Sequence, residues 1–343
     1  MDPVTHAALG AAIGEITLGR KIGRKAMLWG AAAATLPDLD ILLAPLEDDI
    51  TFLTHHRGFT HCLLFVLVLG PILGWLVGRW HARRPAGTTS WNWTALFLAC
   101  LSTHVLLDAC TTYGTPLLLP LSEYRVALSN IFIVDPLFTL PLLVGAACGL
   151  FCRANSRQRR LLSGSGIVLS CLYLSLTFRN KYEAQRALTI SLAEQGVEPR
   201  RFMTGPTPLN SIVWYCLAEG EDGYYLGYYS LLARRQQIRF AFVPRNDRLL
   251  EGIRGSRAMD RLLRFSNGYY TVRREKGGLV FGVLKFGVLS LDSDSSQTAF
   301  SFAIEPGADG QPVVRNITRR RDMDLRKLLA KLWRGIRGSP WET

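Results

Sequence analysis

The pattern of apolar and polar positions changes near Thr177-Phe178: long apolar runs lie before it, and short alternating runs predominate after it. A small-residue helix is predicted over 3–19, starting at Pro3. Ala7, Gly10, Ala11 and Gly14 are placed there to let a second helix approach closely. A second apolar helix covers about 26–46 and contains Leu36-Pro37-Asp38-Leu39-Asp40. The 22-residue run 59–80 is long enough for the roughly 30 Å of bilayer hydrocarbon. Runs 93–110, 131–152 and 161–178 follow, with a polar, Pro/Gly-containing connection over 111–130. Together they predict an α-helical membrane bundle of about five membrane helices, the first short.

Beyond this the pattern predicts an amphipathic helix over 181–195, a linker-like turn over 204–208, and strands at 211–217, 224–230, 239–243, 269–273, 279–291 and 298–304. Glu221-Asp222-Gly223 has the composition of a hairpin turn, and 247–265 reads as helix. A final helix over 322–336 sets Leu325, Leu328, Leu329, Leu332 and Ile336 against Arg326, Lys327, Lys331 and Arg334. It suits either a membrane surface or docking on the domain's own sheet. The expected division is a membrane domain at 1–178 and an extracytoplasmic α+β soluble domain at 179–343.

Composition agrees with a mixed architecture: 48% of the 343 residues are hydrophobic and 20% charged. The net charge of +13 comes mostly from the second half, which makes anionic lipid a nearer partner than nucleic acid. None of the seven cysteines forms a CxxC pair, so neither a disulfide framework nor a thiolate metal site is expected. No cleaved signal peptide is expected either.

Eleven of the 13 Lys and Arg residues in 1–178 fall in three clusters, at 20–25, 79–84 and 153–160. Counting helices places all three on one side, which the positive-inside rule makes cytoplasmic. His6, Asp38, Asp40, His56, His61, His104, Asp108 and Asp135 then gather at the opposite, outer face.

Those eight residues are candidate metal ligands. His104 and Asp108 are i,i+4 and share a helix face, with a neutral His–Asp pair as the competing view. Asp38 and Asp40 are i,i+2: unless Pro37 alters the backbone, one ligates and the other orients a histidine. His55-His56-Arg57-Gly58-Phe59-Thr60-His61 holds three of the six histidines, with His55 as a solvated neighbour and Arg57 to bind an anionic oxygen. His6 lies one turn into the first helix. Asp135 before Pro136 is equally an ordinary helix start. A His and carboxylate set without cysteine suits a divalent metal, zinc first with manganese or iron as alternatives, as one or two ions.

His6, Leu36-Pro37-Asp38-Leu39-Asp40, His56-Arg57-Gly58-Phe59-Thr60-His61, and His104-x-x-x-Asp108 followed by Thr111 and Gly114 together resemble the YdjM-like group of bacterial membrane-bound, metal-dependent hydrolases. The resemblance covers about 3–140. Cys62 stands where that group often has Ser, and Ile41 where some members have His. The resemblance implies a multi-pass protein of the bacterial inner membrane with a metal site. The expected function is hydrolysis, at the outer leaflet, of an ester or phosphoester in a lipid or lipid-linked substrate, with Arg57 as the catalytic side chain. The alternative is a non-catalytic, metal-stabilised scaffold or regulator that binds a protein partner.

Overall fold

In a computed structural model of the chain, the described residues are 1–47, 50–52, 56–82, 87–153, 156–233, 237–275, 278–290, 297–307, 312–317, 330 and 333–337. They form two compact units, Met1–Leu42 with His55–Thr177, and Leu43–Thr54 with Phe178–Thr343.

The first unit is helical. Helix α1 (Pro3–Ile22) begins where Asp2 accepts a hydrogen bond from the Thr5 amide and Pro3 occupies the first turn. A turn at Gly23 leads into α2 (Lys25–Thr35). The two helices meet through glycine: a Cβ on Gly10 or Gly30 would collide with the other's carbonyl oxygen, and one on Gly14 with that of Ala26. Two 3₁₀ segments, Pro37–Leu46 and Phe59–His61, follow. Helices α3 (Leu63–Ala82) and α4 (Ser90–Ala109) pack along a second glycine seam, Gly70, Gly74 and Gly78 against Leu98, Thr94 and Ser90. Helix α5 (Pro136–Phe151) precedes α6 (Arg157–Glu194).

Among the described residues, two helices are long and apolar enough to cross a membrane, α3 and the 38-residue α6. Counting α2 with Pro37–Leu46, bent by 49°, as one broken span gives up to three. The expected number of about five is thus not reached by length and apolarity. Helices α1 and α4 carry the polar residues of the site described below, and α5 has only 16 residues.

The second unit is an all-antiparallel β region. Strands β1 (Arg201–Pro206), β2 (Val213–Glu219), β3 (Gly223–Ser230) and β4 (Ala241–Pro244) form one sheet in sequence order. Strands β5 (Tyr270–Glu275), β6 (Gly278–Ser290), β7 (Gln297–Pro306) and β8 (Pro312–Asn316) form another. Ala184, Leu188 and Leu192 of α6 pack on Trp214, Cys216 and Tyr229. Leu217, Tyr224 and Leu226 of the first sheet meet Leu284 and Val288 of the second.

Three local expectations change. Residues 204–206 are strand, because Pro206 lies on the edge strand β1 where a missing N–H breaks no ladder. The stretch 247–265 is a 3₁₀ turn (Asp247–Leu250) followed by α7 (Arg257–Ser266), separated at Gly255 with φ +88 and restarted by the Ser256 cap. Run 161–178 and run 181–195 are one continuous helix. Strands β1 and β8 were not predicted. His55, Asp48, Asp49 and most of the 322–336 helix lie outside the described residues.

Candidate metal centre

The site begins with a change of helix type. After α2, Pro37 opens a 3₁₀ segment, on which neighbours advance by roughly 120°. Asp38 and Asp40 therefore point in different directions. Asp38 turns to two histidines, while Asp40 turns to the loop that precedes α3.

Four residues from three segments, Asp38, His61, and His104 with Asp108, each offer one ligand atom within 4.8 Å of the others. The Nε2 atoms of His61 and His104 are 3.2 Å apart. His61 Nε2 is 3.4 Å from both Asp38 Oδ1 and Asp108 Oδ2, and His104 Nε2 is 3.5 Å from each of the same atoms. A tetrahedral ion with bonds of about 2.1 Å requires edges of roughly 3.4 Å, so five of the six edges fit. His61, His104 and Asp108 are buried, and Asp38 is 17% exposed.

The tautomers follow from the partners. His104 Nδ1 donates to the Ala34 carbonyl oxygen at 2.6 Å, which leaves a lone pair on Nε2. The Thr60 hydroxyl donates to Asp40 Oδ2, so His61 Nδ1 donates to Thr60 Oγ1 at 2.9 Å. Both Nε2 lone pairs thus face each other beside two carboxylates, and Asp38 Oδ2 and Asp108 Oδ2 are buried without a hydrogen-bond donor. A cluster of acceptors without donors suits a cation.

Asp40 stands one contact away. It accepts from His56 Nδ1 at 2.9 Å, from the Arg57 amide at 3.0 Å and from Thr60. The Arg57 amide bond matters because Arg57 has φ +56, in the left-handed region. The Arg57 guanidinium is buried, 3.2 Å from Asp108 Oδ1 and 2.9 Å from Thr111 Oγ1. Burial lowers its pKa to about 10, which keeps it charged at neutral pH. His6 stacks on His104 with centroids 3.7 Å apart and reaches Asp108 Oδ1 at 3.2 Å; the Met1 amino group donates to the same oxygen. His56 is partly exposed and stands edge-on to Tyr113.

Asp135 is not part of this group. It caps α5, accepting from the Leu137 and Phe138 amides and from the Tyr173 hydroxyl. Those three donors satisfy its carboxylate. Tyr113 and Arg125 were not singled out from the sequence. For Arg125 the available signal was arithmetic: the two Lys or Arg residues of 1–178 outside the three clusters are Arg57 and Arg125. Arg159, counted in a cluster, is buried and paired with Glu15.

The profile of the YdjM inner membrane protein family matches residues 1–184. A 143-residue stretch is 34% identical to the uncharacterized protein YfhP of Bacillus subtilis (strain 168), covering 40% of this chain and 42% of that protein. A 112-residue stretch is 39% identical to the inner membrane protein YbcI of Escherichia coli (strain K12), covering 32% of this chain and 61% of that protein. The chain thus spans less than two thirds of either relative. No solved structure matches.

Proposed function

The chain belongs to the YdjM inner membrane protein family, and on that footing we propose that it is a metal-dependent hydrolase of the inner membrane. The observation that carries this reading is the set of near-tetrahedral distances among Asp38, His61, His104 and Asp108. Two imidazoles and two carboxylates suit zinc, with manganese or iron next. Such an ion supplies Lewis acidity and lowers the pKa of water near it.

The chain's own groups complete the chemistry. Arg57 holds an anionic oxygen of an ester or phosphoester. Asp40 fixes the Thr60 hydroxyl and, through it, the His61 ring. His56, at the partly exposed rim and hydrogen-bonded to Asp40, is suited to carry a proton to the leaving group. Asp38 and His56 mark the approach.

A lipid or lipid-linked substrate at the outer leaflet is supported by where the groups lie along their helices. His6 is at the start of α1 and Arg20 and Lys21 at its end; His61 precedes α3 and Arg79 lies in its last turn. Lys21 bonds Asn92 in the first turn of α4, whereas His104 and Asp108 are in its last turns. Site and basic ends are therefore opposite, as an outward-facing site and an extracytoplasmic second unit require.

The burial of three of the four ligands favours a second reading, a metal-stabilised scaffold without turnover. Hydrolysis of short-chain phospholipids and lipid phosphates by purified protein, with and without added zinc, separates the two. Turnover that disappears in Arg57→Ala with metal retained supports the enzyme. Metal-replete protein inert on every ester supports the scaffold.

A further inference from the structure

The connection between α4 and α5 is built onto the site rather than hung beside it. Thr115 and Val126 exchange two backbone hydrogen bonds, of 3.0 and 2.9 Å. Leu63, at the start of α3, donates to the Leu117 carbonyl, and Leu128 donates to Ala109 at the end of α4. This small bridge brings Gly114 against Arg125. Gly114 has φ +87, and a Cβ there would stand 3.0 Å from the Arg125 Cβ. The glycine thus permits both the turn and the approach of the arginine.

The consequence is a pair of guanidiniums around one aromatic ring. Arg57 Cζ lies 4.9 Å and Arg125 Cζ 5.9 Å from the centroid of Tyr113. Arg57 also contacts Asp108, a member of the four-residue group, and its buried Nε has no hydrogen-bond partner among the described residues. Asp38, Asp40 and Asp108 provide three negative charges against two from the arginines, so one divalent ion would leave these five side chains with net positive charge. A neutral carboxylic ester has no use for a second guanidinium. A phosphate with two charged oxygens does, because each planar fork can take a separate oxygen.

We propose that Arg57 and Arg125, held about Tyr113 by the Thr115–Val126 bridge, form a two-arginine phosphate site beside the metal centre, which selects a phosphomonoester as substrate. This rests on the hydrolase reading for the word substrate, but the anion site itself does not. Arg125 is a specificity-determining residue that grips the phosphate.

The test uses the full chain in nanodiscs, both metal-loaded and metal-free, with inorganic phosphate as the probe in titration calorimetry. Phosphate is expected to bind the metal-loaded protein, and Arg125→Ala to weaken it about tenfold to a hundredfold, the range for a charge-assisted contact. Metal content is expected to stay at the wild-type level, and acetate to bind both proteins alike. Unchanged phosphate affinity in Arg125→Ala overturns the proposal, as does failure of metal-loaded wild type to bind phosphate. Should Arg125→Ala lose its metal, Arg125→Lys decides, since it keeps charge but not the fork: a several-fold weakening supports the proposal and unchanged affinity refutes it. Arg125-dependent phosphate binding in a protein that takes up no metal sinks the hydrolase reading alone. Displacement of phosphate by nanodiscs containing phosphatidic acid, or instead by glycerol phosphate, assigns the group to a lipid headgroup or to a soluble ester.

Discussion

Asp40 Oδ2 lies 3.6 Å from His61 Nδ1, and the Thr60 hydroxyl bonds to both. A carboxylate that is not itself in the four-residue group therefore sets the tautomer of a histidine that is. Asp40→Asn is expected to lower metal affinity by roughly 10–100-fold while leaving the bound stoichiometry at saturation unchanged, the usual effect of removing an outer partner. Competition against a fluorescent chelator measures both quantities.

Asp135 makes the opposite prediction. Its carboxylate caps α5 and accepts from Tyr173. Asp135→Ala should destabilise the protein by about 1 kcal/mol, as loss of a helix cap does, with metal affinity unchanged. Thermal unfolding in detergent and the same chelator titration check the two halves of that statement.

The α1–α2 seam is a backbone contact, so it tolerates no side chain. Gly30→Val places a Cβ against the Gly10 carbonyl, and neither backbone can yield without shifting Ala34, whose oxygen orients His104. The expected loss is about 1–3 kcal/mol or more. It should appear as a lowered melting temperature and weakened metal binding together.

The second unit is expected to fail in alkali. Burial raises the pKa of Tyr269 to about 12 and raises those of Tyr224, Tyr228 and Tyr270. A raised folded-state value means that the neutral phenol is the stabilised form. Its contribution is complete below the unfolded value of about 10 and is lost as pH rises through the folded values. Tyr228 donates to the Val288 carbonyl and Tyr224 to that of Gly268, and ionisation ends both donations. Circular dichroism of the β region should be unchanged from pH 7 to 9 and collapse above about pH 10.

Much of this was legible in the chain because its signals are local. His104 and Asp108 share a helix face by spacing alone, and the three basic clusters mark helix ends. The i,i+2 spacing of Asp38 and Asp40 already implied separate duties, but which carboxylate has which was not legible, because it depends on a 3₁₀ path that the apolar pattern does not encode. Asp135 before Pro136 has the same appearance whether it caps or ligates; the Tyr173 hydroxyl, 38 positions away, occupies it. Arg125 escaped notice because its nearness to Arg57 depends on a two-residue bridge inside a polar connection. The strand at Arg201–Pro206 was hidden by Pro206, which an edge position accommodates.

The central claim is that Asp38, His61, His104 and Asp108 hold a divalent ion. Elemental analysis of the detergent-purified chain, prepared without chelators, tests it beside His61→Ala and Asp108→Ala. The account predicts one ion per chain in the wild type, held by this group, and none in either variant. A wild type without metal, or variants that keep it, would contradict the account and leave the buried histidines as packing alone.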